Sequence, residues 1–136
     1  MADAINLDIL TPEKVAFSDS IEMVTAPGSL GEFGVLPGHA ALVTTLQAGE
    51  VVIKKDNREY YLAISGGFAE VGNDKVTILA EAAELAQEID TKRAEAAKTQ
   101  AEEKLKGLSS DDDQFPETVL ALKRATNRIK VSARKT

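Results

Sequence analysis

The chain has 136 residues, no cysteine and a single histidine, His39, with a formal net charge of −6. That length suits one ordinary domain or a small domain with an appendage; the missing cysteines exclude disulfides, thiolate zinc sites and cysteine nucleophiles, and one histidine cannot build a histidine-rich metal site. No apolar run approaches the ~20 residues of a membrane helix and no N-terminal segment resembles a signal peptide, so a soluble chain is expected.

The average charge conceals an asymmetry. Residues 1–86 hold 13 of the 22 acidic and 5 of the 16 basic residues, a net of −8, whereas residues 87–136 carry a net of +2. After Glu117 come Lys123, Arg124, Arg128, Lys130, Arg134 and Lys135 with no acid among them. Such a run asks for an anionic partner.

Along the N-terminal part, apolar and polar residues alternate in "INLDIL", "IEMVTA", "GEVVIKK" and "REYYLAIS", which predicts half-buried strands. Pro27-Gly28 and Pro37-Gly38 are turn dipeptides, Asp56-Asn57 sits between two strand-like runs, and Gly72-Asn73-Asp74 separates "GFAEV" from "KVTIL". The stretch "GEFGVLPGHAALVT" reads as a Gly- and Pro-punctuated apolar loop. Glu32 and His39 in it form a conceivable acid/base pair, but there is no nucleophile motif and no second histidine, so architecture is preferred over catalysis. "SGGFAEVG" lacks both the Walker lysine and the GxGxxG spacing; Gly66-Gly67 is better explained as a tight bend or bulge. Many short strands with no helical pattern between them predict an antiparallel sandwich or barrel.

From Glu81 the punctuation changes: no Gly or Pro occurs before Gly107, and the helix formers Ala, Glu, Lys and Gln dominate. Asp90 as N-cap and Gly107 as stop signal predict a helix over 91–106, with Ala94, Ala97, Ala101 and Leu105 as its small apolar stripe. Asp111, Asp112, Asp113 and Pro116 suit the start of a second helix. On it Phe115, Val119, Leu122, Thr126 and Ile129 share one stripe, and Arg124 and Arg128 share another. The fold class is therefore α+β, an antiparallel β-sandwich over 1–86 followed by a two-helix antiparallel hairpin over 87–136. A seam this small buries little apolar area, so the hairpin is expected to dock weakly and to move.

Two readings of the basic residues stand side by side. In one, Asp90 is simply an N-cap and Arg93 a surface arginine, which the spacing alone favours. In the other, Arg93, Arg124, Arg128 and a helix N-terminus converge on a polyphosphate when the hairpin closes. Nucleic acid is disfavoured by the acidic remainder and the low aromatic content.

Taken together, "GSLGEFGVLPGHAALVTTLQAGEV", "LAISGGFAEV", "KVTILAEAAE", "IDTKRAEAA" and "ALKRATNRIKV" closely resemble the epsilon-subunit family of bacterial and chloroplast F-type ATP synthases, in order from about Leu7 to Val131. The resemblance implies a non-catalytic central-stalk subunit of a proton-translocating synthase, with no required cofactor or metal. Its sandwich would bind the gamma subunit and touch the c-ring, the contact candidates being Gly31, Glu32, Phe33 and His39. Its hairpin would inhibit ATP hydrolysis when extended along gamma, with Lys123, Arg124 and Arg128 meeting an acidic segment of a beta subunit. Some members bind ATP on the closed hairpin as a regulatory ligand; their motif matches Ile89, Asp90, Arg93 and Ala94, with further contacts at Glu84, Arg124 and Arg128. Another arginine of those members corresponds to Gln100, which implies weaker ATP binding. The implied location is peripheral, on the cytoplasmic face of a bacterial plasma membrane or the stromal face of a thylakoid. The alternative reading is a free-standing β-sandwich binding module with a nucleotide-sensing helical tail, and an enzyme in its own right comes third.

Overall fold

The computed structural model describes residues 4–135. Ten strands come first: β1 (Ile5–Leu10), β2 (Val15–Ile21), β3 (Met23–Gly28), β4 (Gly31–Val35), β5 (Leu42–Leu46), β6 (Gly49–Lys55), β7 (Arg58–Ile64), β8 (Gly67–Gly72), β9 (Lys75–Ala80) and β10 (Ala83–Leu85). A single 3-10 turn, Ala86–Glu88, leads into α1 (Thr91–Lys106) and α2 (Gln114–Ser132).

The strands form one sheet in the order β10-β7-β6-β3-β5-β8-β9-β1-β2, with β4 on β3. The sheet folds over at β3, so that β2 comes back against β6 and β10. Alternation decides the faces. Ile5, Leu7 and Ile9 of β1, Val51 and Ile53 of β6, Leu62 and Ile64 of β7, and Val76 and Ile78 of β9 all point into one apolar core. All pairings are antiparallel except β1 with β9. No hairpin links those two, so nothing forces them to run in opposite directions.

The β6–β7 turn uses left-handed backbone at both Asp56 (φ 52) and Asn57 (φ 63), the geometry of a two-residue hairpin whose twist matches its strands. Two expectations are corrected. Pro27 and Gly28 lie within β3, and the turn follows at Ser29-Leu30. Proline is tolerated there because β3 changes neighbours at that point, and its carbonyl still accepts the Gln47 N–H at 2.9 Å. The stretch Gly31 to Thr44 is not one loop: it contributes β4 and most of β5, leaving only the segment between them irregular.

The side chain of Asp90 accepts the Arg93 N–H at 3.1 Å and starts α1 as predicted. Gly107 ends it in a right-handed conformation (φ −94), so the stop does not use glycine's left-handed freedom. The hairpin seam differs from the expected stripes. On α1 the residues withdrawn from solvent are Thr91, Ala94, Lys98, Ala101 and Leu105; on α2 they include Phe115, Thr118, Leu122, Ala125, Ile129 and Ser132. Ala97, Val119 and Thr126 are exposed. Both sets repeat every three and four residues in strict alternation, the 3.5-residue period of helices packed as a coiled coil rather than the 3.6 of a single straight helix. Every second seam position on α2 is small, and the Thr118 and Ser132 hydroxyls donate back to the carbonyls of Gln114 and Ile129, each at 2.7 Å, so polar residues sit in the seam satisfied.

Gly67 pins the β7–β8 corner. Its φ is +149, and an added Cβ would lie 1.9 Å from the Leu79 carbonyl oxygen, whereas Gly31 (φ +135) faces open space. Gly67→Ala should therefore lower unfolding stability by at least about 2 kcal/mol, and by more than Gly31→Ala, as read by denaturant titration of the two variants.

Candidate functional site

The basic run of α2 lies along the sandwich at β6, β7 and the segment that follows β10. Helical periodicity places Lys123, Asn127, Arg128 and, just past the helix, Arg134 on the side that meets it. Lys123 Nζ donates to Gln47 Oε1 at 2.9 Å, and Asn127 Nδ2 to the Gly49 carbonyl at 2.9 Å. Arg128 binds Glu84 with two hydrogen bonds, Nε to Oε1 at 2.7 Å and a terminal nitrogen to Oε2 at 3.2 Å. Arg134 grips Glu50 in the same two-pronged way, at 3.1 and 3.3 Å, with its guanidinium 4.7 Å from the centre of the Tyr61 ring. The hydrogen bonds that Arg134 donates to Glu50 raise the Arg134 pKa further, and the hydrogen bond that Tyr61 donates to Glu59 raises the phenol, so this pair stays cation over neutral ring.

Apolar support is small. Val131 (0% exposed) closes over Ala63, Ala86 and Ile89, with Tyr61 at the edge, and this cluster is separate from the sandwich core. The helix is thus held mainly by charge and hydrogen bonds.

Several residues singled out from the sequence meet at this face. Glu84, Arg124 and Arg128 line one cleft of about 230 Å³ together with Ser65 and Asn127. Ile89 is buried (2% exposed) just outside it, and its carbonyl accepts Lys135 Nζ at 2.5 Å. The carboxylate of Asp90 is engaged as the α1 cap. Arg93 is exposed on the first turn of α1 and its side chain joins no ion pair among the described residues; Gln100 is exposed further along the same helix. Ala94 is in the helix seam.

The other candidate set is spread along the β3–β4 hairpin and the loop beyond. Gly31, Glu32 and Phe33 belong to β4 and His39 to the loop after it. Glu32 borders a groove of about 480 Å³ that also takes in Gln47, Lys123 and Lys130, so the β4 hairpin and α2 share a surface. Phe33 packs on the sandwich core. His39 Nδ1 lies 2.6 Å from the Ala40 carbonyl, which makes that nitrogen the donor. Glu32 and His39 share no hydrogen bond among the described residues, and no cluster of three or more metal-ligating side chains occurs among them. No helix among them is long and apolar enough to cross a membrane.

One feature escaped the sequence reading. Strand register aligns Thr45, Phe68, Leu79, Leu10 and Val15 in a row across the outer face of β5, β8, β9, β1 and β2. Phe68 is 56% exposed, Leu79 50% and Val15 61%, with Val43 at 70% one step along β5. The row borders a cleft of about 760 Å³ that Arg124 also lines. The signal was present: in "GFAEV" and "KVTIL" Phe68 and Leu79 are apolar on the phase that should be polar. Equally unforeseen were Gln47, Glu50 and Tyr61, the acceptors and ring that receive α2.

The family model for the beta-sandwich domain of the ATP synthase delta/epsilon chain matches residues 4–86, and that for its long alpha-helix domain matches residues 87–133. The ATP synthase epsilon chain of Geotalea uraniireducens is 47% identical over 134 residues, covering 98% of this chain and 97% of its own length. That of Geobacter metallireducens is 46% identical over 136 residues, covering 100% and 99%. In fold, the chain matches one in the mitochondrial ATP synthase of Euglena gracilis, an OSCP/F1/c-ring structure, with a TM-score of 0.81 at 24% identity, covering 99% of this chain and 84% of that one. With the sandwich and the helical segment both matched and near-half identity sustained along the full length, the chain belongs to the epsilon-chain family of ATP synthase, whose members are non-catalytic subunits of that enzyme.

Proposed function

We propose that the chain is a central-stalk rotor subunit of a proton-translocating ATP synthase, peripheral on the cytoplasmic face of a bacterial membrane, and that its hairpin inhibits ATP hydrolysis when it leaves the sandwich. The observation that carries this reading is the chemistry of the docked face. Lys123, Asn127, Arg128 and Arg134 hold α2 down through contacts that water or another acidic surface can replace at small net cost. An acidic segment of a catalytic beta subunit offers Lys123, Arg124 and Arg128 the same kind of partner that the acidic sandwich offers now. Closed and open states then lie close in energy.

The gamma subunit is assigned the exposed apolar row of Phe68, Leu79 and Val15, since an apolar surface of that extent on a soluble domain favours being covered. Gly31, Glu32, Phe33 and His39 are assigned to the c-ring and the foot of gamma. ATP is assigned, as a regulatory ligand, to the cleft of Glu84, Arg124 and Arg128, with Ile89, Asp90 and Arg93 as further contacts on the family pattern. At about 230 Å³ the cleft is smaller than the roughly 300–1,000 Å³ of ordinary small-molecule pockets, so it receives the phosphate end of a nucleotide. ATP then favours the closed state only by as much as it binds that state better.

Phe68→Glu and Leu79→Glu leave the core untouched and should weaken gamma binding at least about tenfold; co-purification with gamma at wild-type strength would remove the assignment. Truncation after Gln87 should leave a folded, gamma-binding sandwich and raise the hydrolysis rate of the reconstituted complex, and an unchanged rate would mean that the hairpin does not inhibit. Calorimetric titration should give ATP-binding heat for the wild type that is reduced in Arg93→Ala; no heat at millimolar ATP would exclude the sensor.

A further inference from the structure

The end of the chain does something that neither the nucleotide nor the partner assignments use. Past α2, Arg134 and Lys135 reach to two different places. Arg134 crosses to the sandwich, where it meets Glu50 of β6 and lies over Tyr61 of β7. Lys135 instead reaches the segment between sandwich and hairpin, donating from Nζ to the Ile89 carbonyl at 2.5 Å and lying 3.4 Å from Thr91 Oγ1. Ile89 and Asp90 are extended (φ −73, ψ 126 and φ −81, ψ 98) between the 3-10 turn and α1. They are the joint about which any outward swing of the hairpin must pivot.

We propose that Arg134 and Lys135 form a latch with which the chain terminus clamps its own hinge and holds the hairpin shut. The proposal rests on the hairpin being movable and adds what keeps it closed in the absence of any ligand. Two facts make this end of α2 the place for a latch. The contacts flank Val131 and Ile89, which are 0% and 2% exposed, so the only apolar cluster of the docked face among the described residues lies under the clamp. The Glu50 side chain, 11% accessible with the helix docked, is more sheltered than the Glu84 side chain at 29%, so Arg134 meets the less exposed of the two carboxylates that receive arginines of this segment.

The absence of cysteine allows a clean test on the full chain. Spin labels at Lys54→Cys on the sandwich and Glu103→Cys on α1, both exposed positions, report closed and open populations by pulsed electron paramagnetic resonance. Arg134 is itself partly exposed and screened, so Arg134→Glu should lower the closed-to-open ratio by about fivefold. Lys135→Ala should shift it in the same direction, and pairing Arg134→Glu with Glu50→Arg should restore it. Circular dichroism of each variant checks that helix and strand content is retained. Wild-type populations in Arg134→Glu would overturn the latch. Arg128→Glu, on the same label pair, separates the causes: if it opens the hairpin and Arg134→Glu does not, the latch alone is wrong; if neither opens it, the movable-hairpin reading falls as well.

Discussion

The structure depends on one choice of chemistry: the surface between the hairpin and the sandwich is built from charges and hydrogen bonds over a very small apolar cluster. Had α2 presented leucines to β6 and β7, burial at about 25 cal/mol per Å² would have fused hairpin and sandwich into one unit. Instead the strands bury a continuous core of Ile, Leu and Val, while the helix rests on Gln47, Gly49, Glu50 and Glu84. The two parts are therefore held by interactions of different strength and different sensitivity to solvent. Surface ion pairs contribute little net stability and are screened by salt, which is what a reversible contact requires.

Charge asymmetry follows from this. The sandwich half is strongly acidic and the hairpin half mildly basic, so the sandwich is the resident partner of cations that the proposed inhibitory state lends to another subunit. The same residue serves two assignments at Arg128, which pairs with Glu84 now and is assigned to ATP and to beta in turn. One guanidinium cannot satisfy all three at once, and that competition is the physical content of the proposed regulation. Glu32, bordering a groove shared with Lys123 and Lys130, places the β3–β4 hairpin within reach of the same contest.

How much of this was readable in the sequence varied with range. Local rules sufficed for β1, β6 and α1, where alternation, caps and the Asp56-Asn57 turn act within a few residues. They failed at β4 and β5, because "GEFGV" carries two glycines and the apolar pattern is broken by Pro37-Gly38; pairing with β3 and β8 supplies the order that local propensity lacks. The helix stripes were displaced at Ala97, Val119 and Thr126 because a straight-helix period was applied to two helices that wrap each other. Arg124 and Arg128 were legible as a pair; Glu84 entered only through the family resemblance, as an ATP contact, and its pairing with Arg128 came from the structure. Glu50 and Tyr61 were illegible, since their partner Arg134 lies 84 residues from Glu50 along the chain.

The proposed regulation requires a rigid sandwich that carries a hairpin which opens on its own. Native-state hydrogen exchange of the isolated chain tests it most directly, because each backbone amide reports the cheapest opening that exposes it. Amides of α1 and α2 should exchange together, through an opening much less costly than the one that exposes β1, β6, β7 and β9. Helix amides protected as strongly as those core strands would contradict the account, since hairpin and sandwich would then open only by unfolding as one.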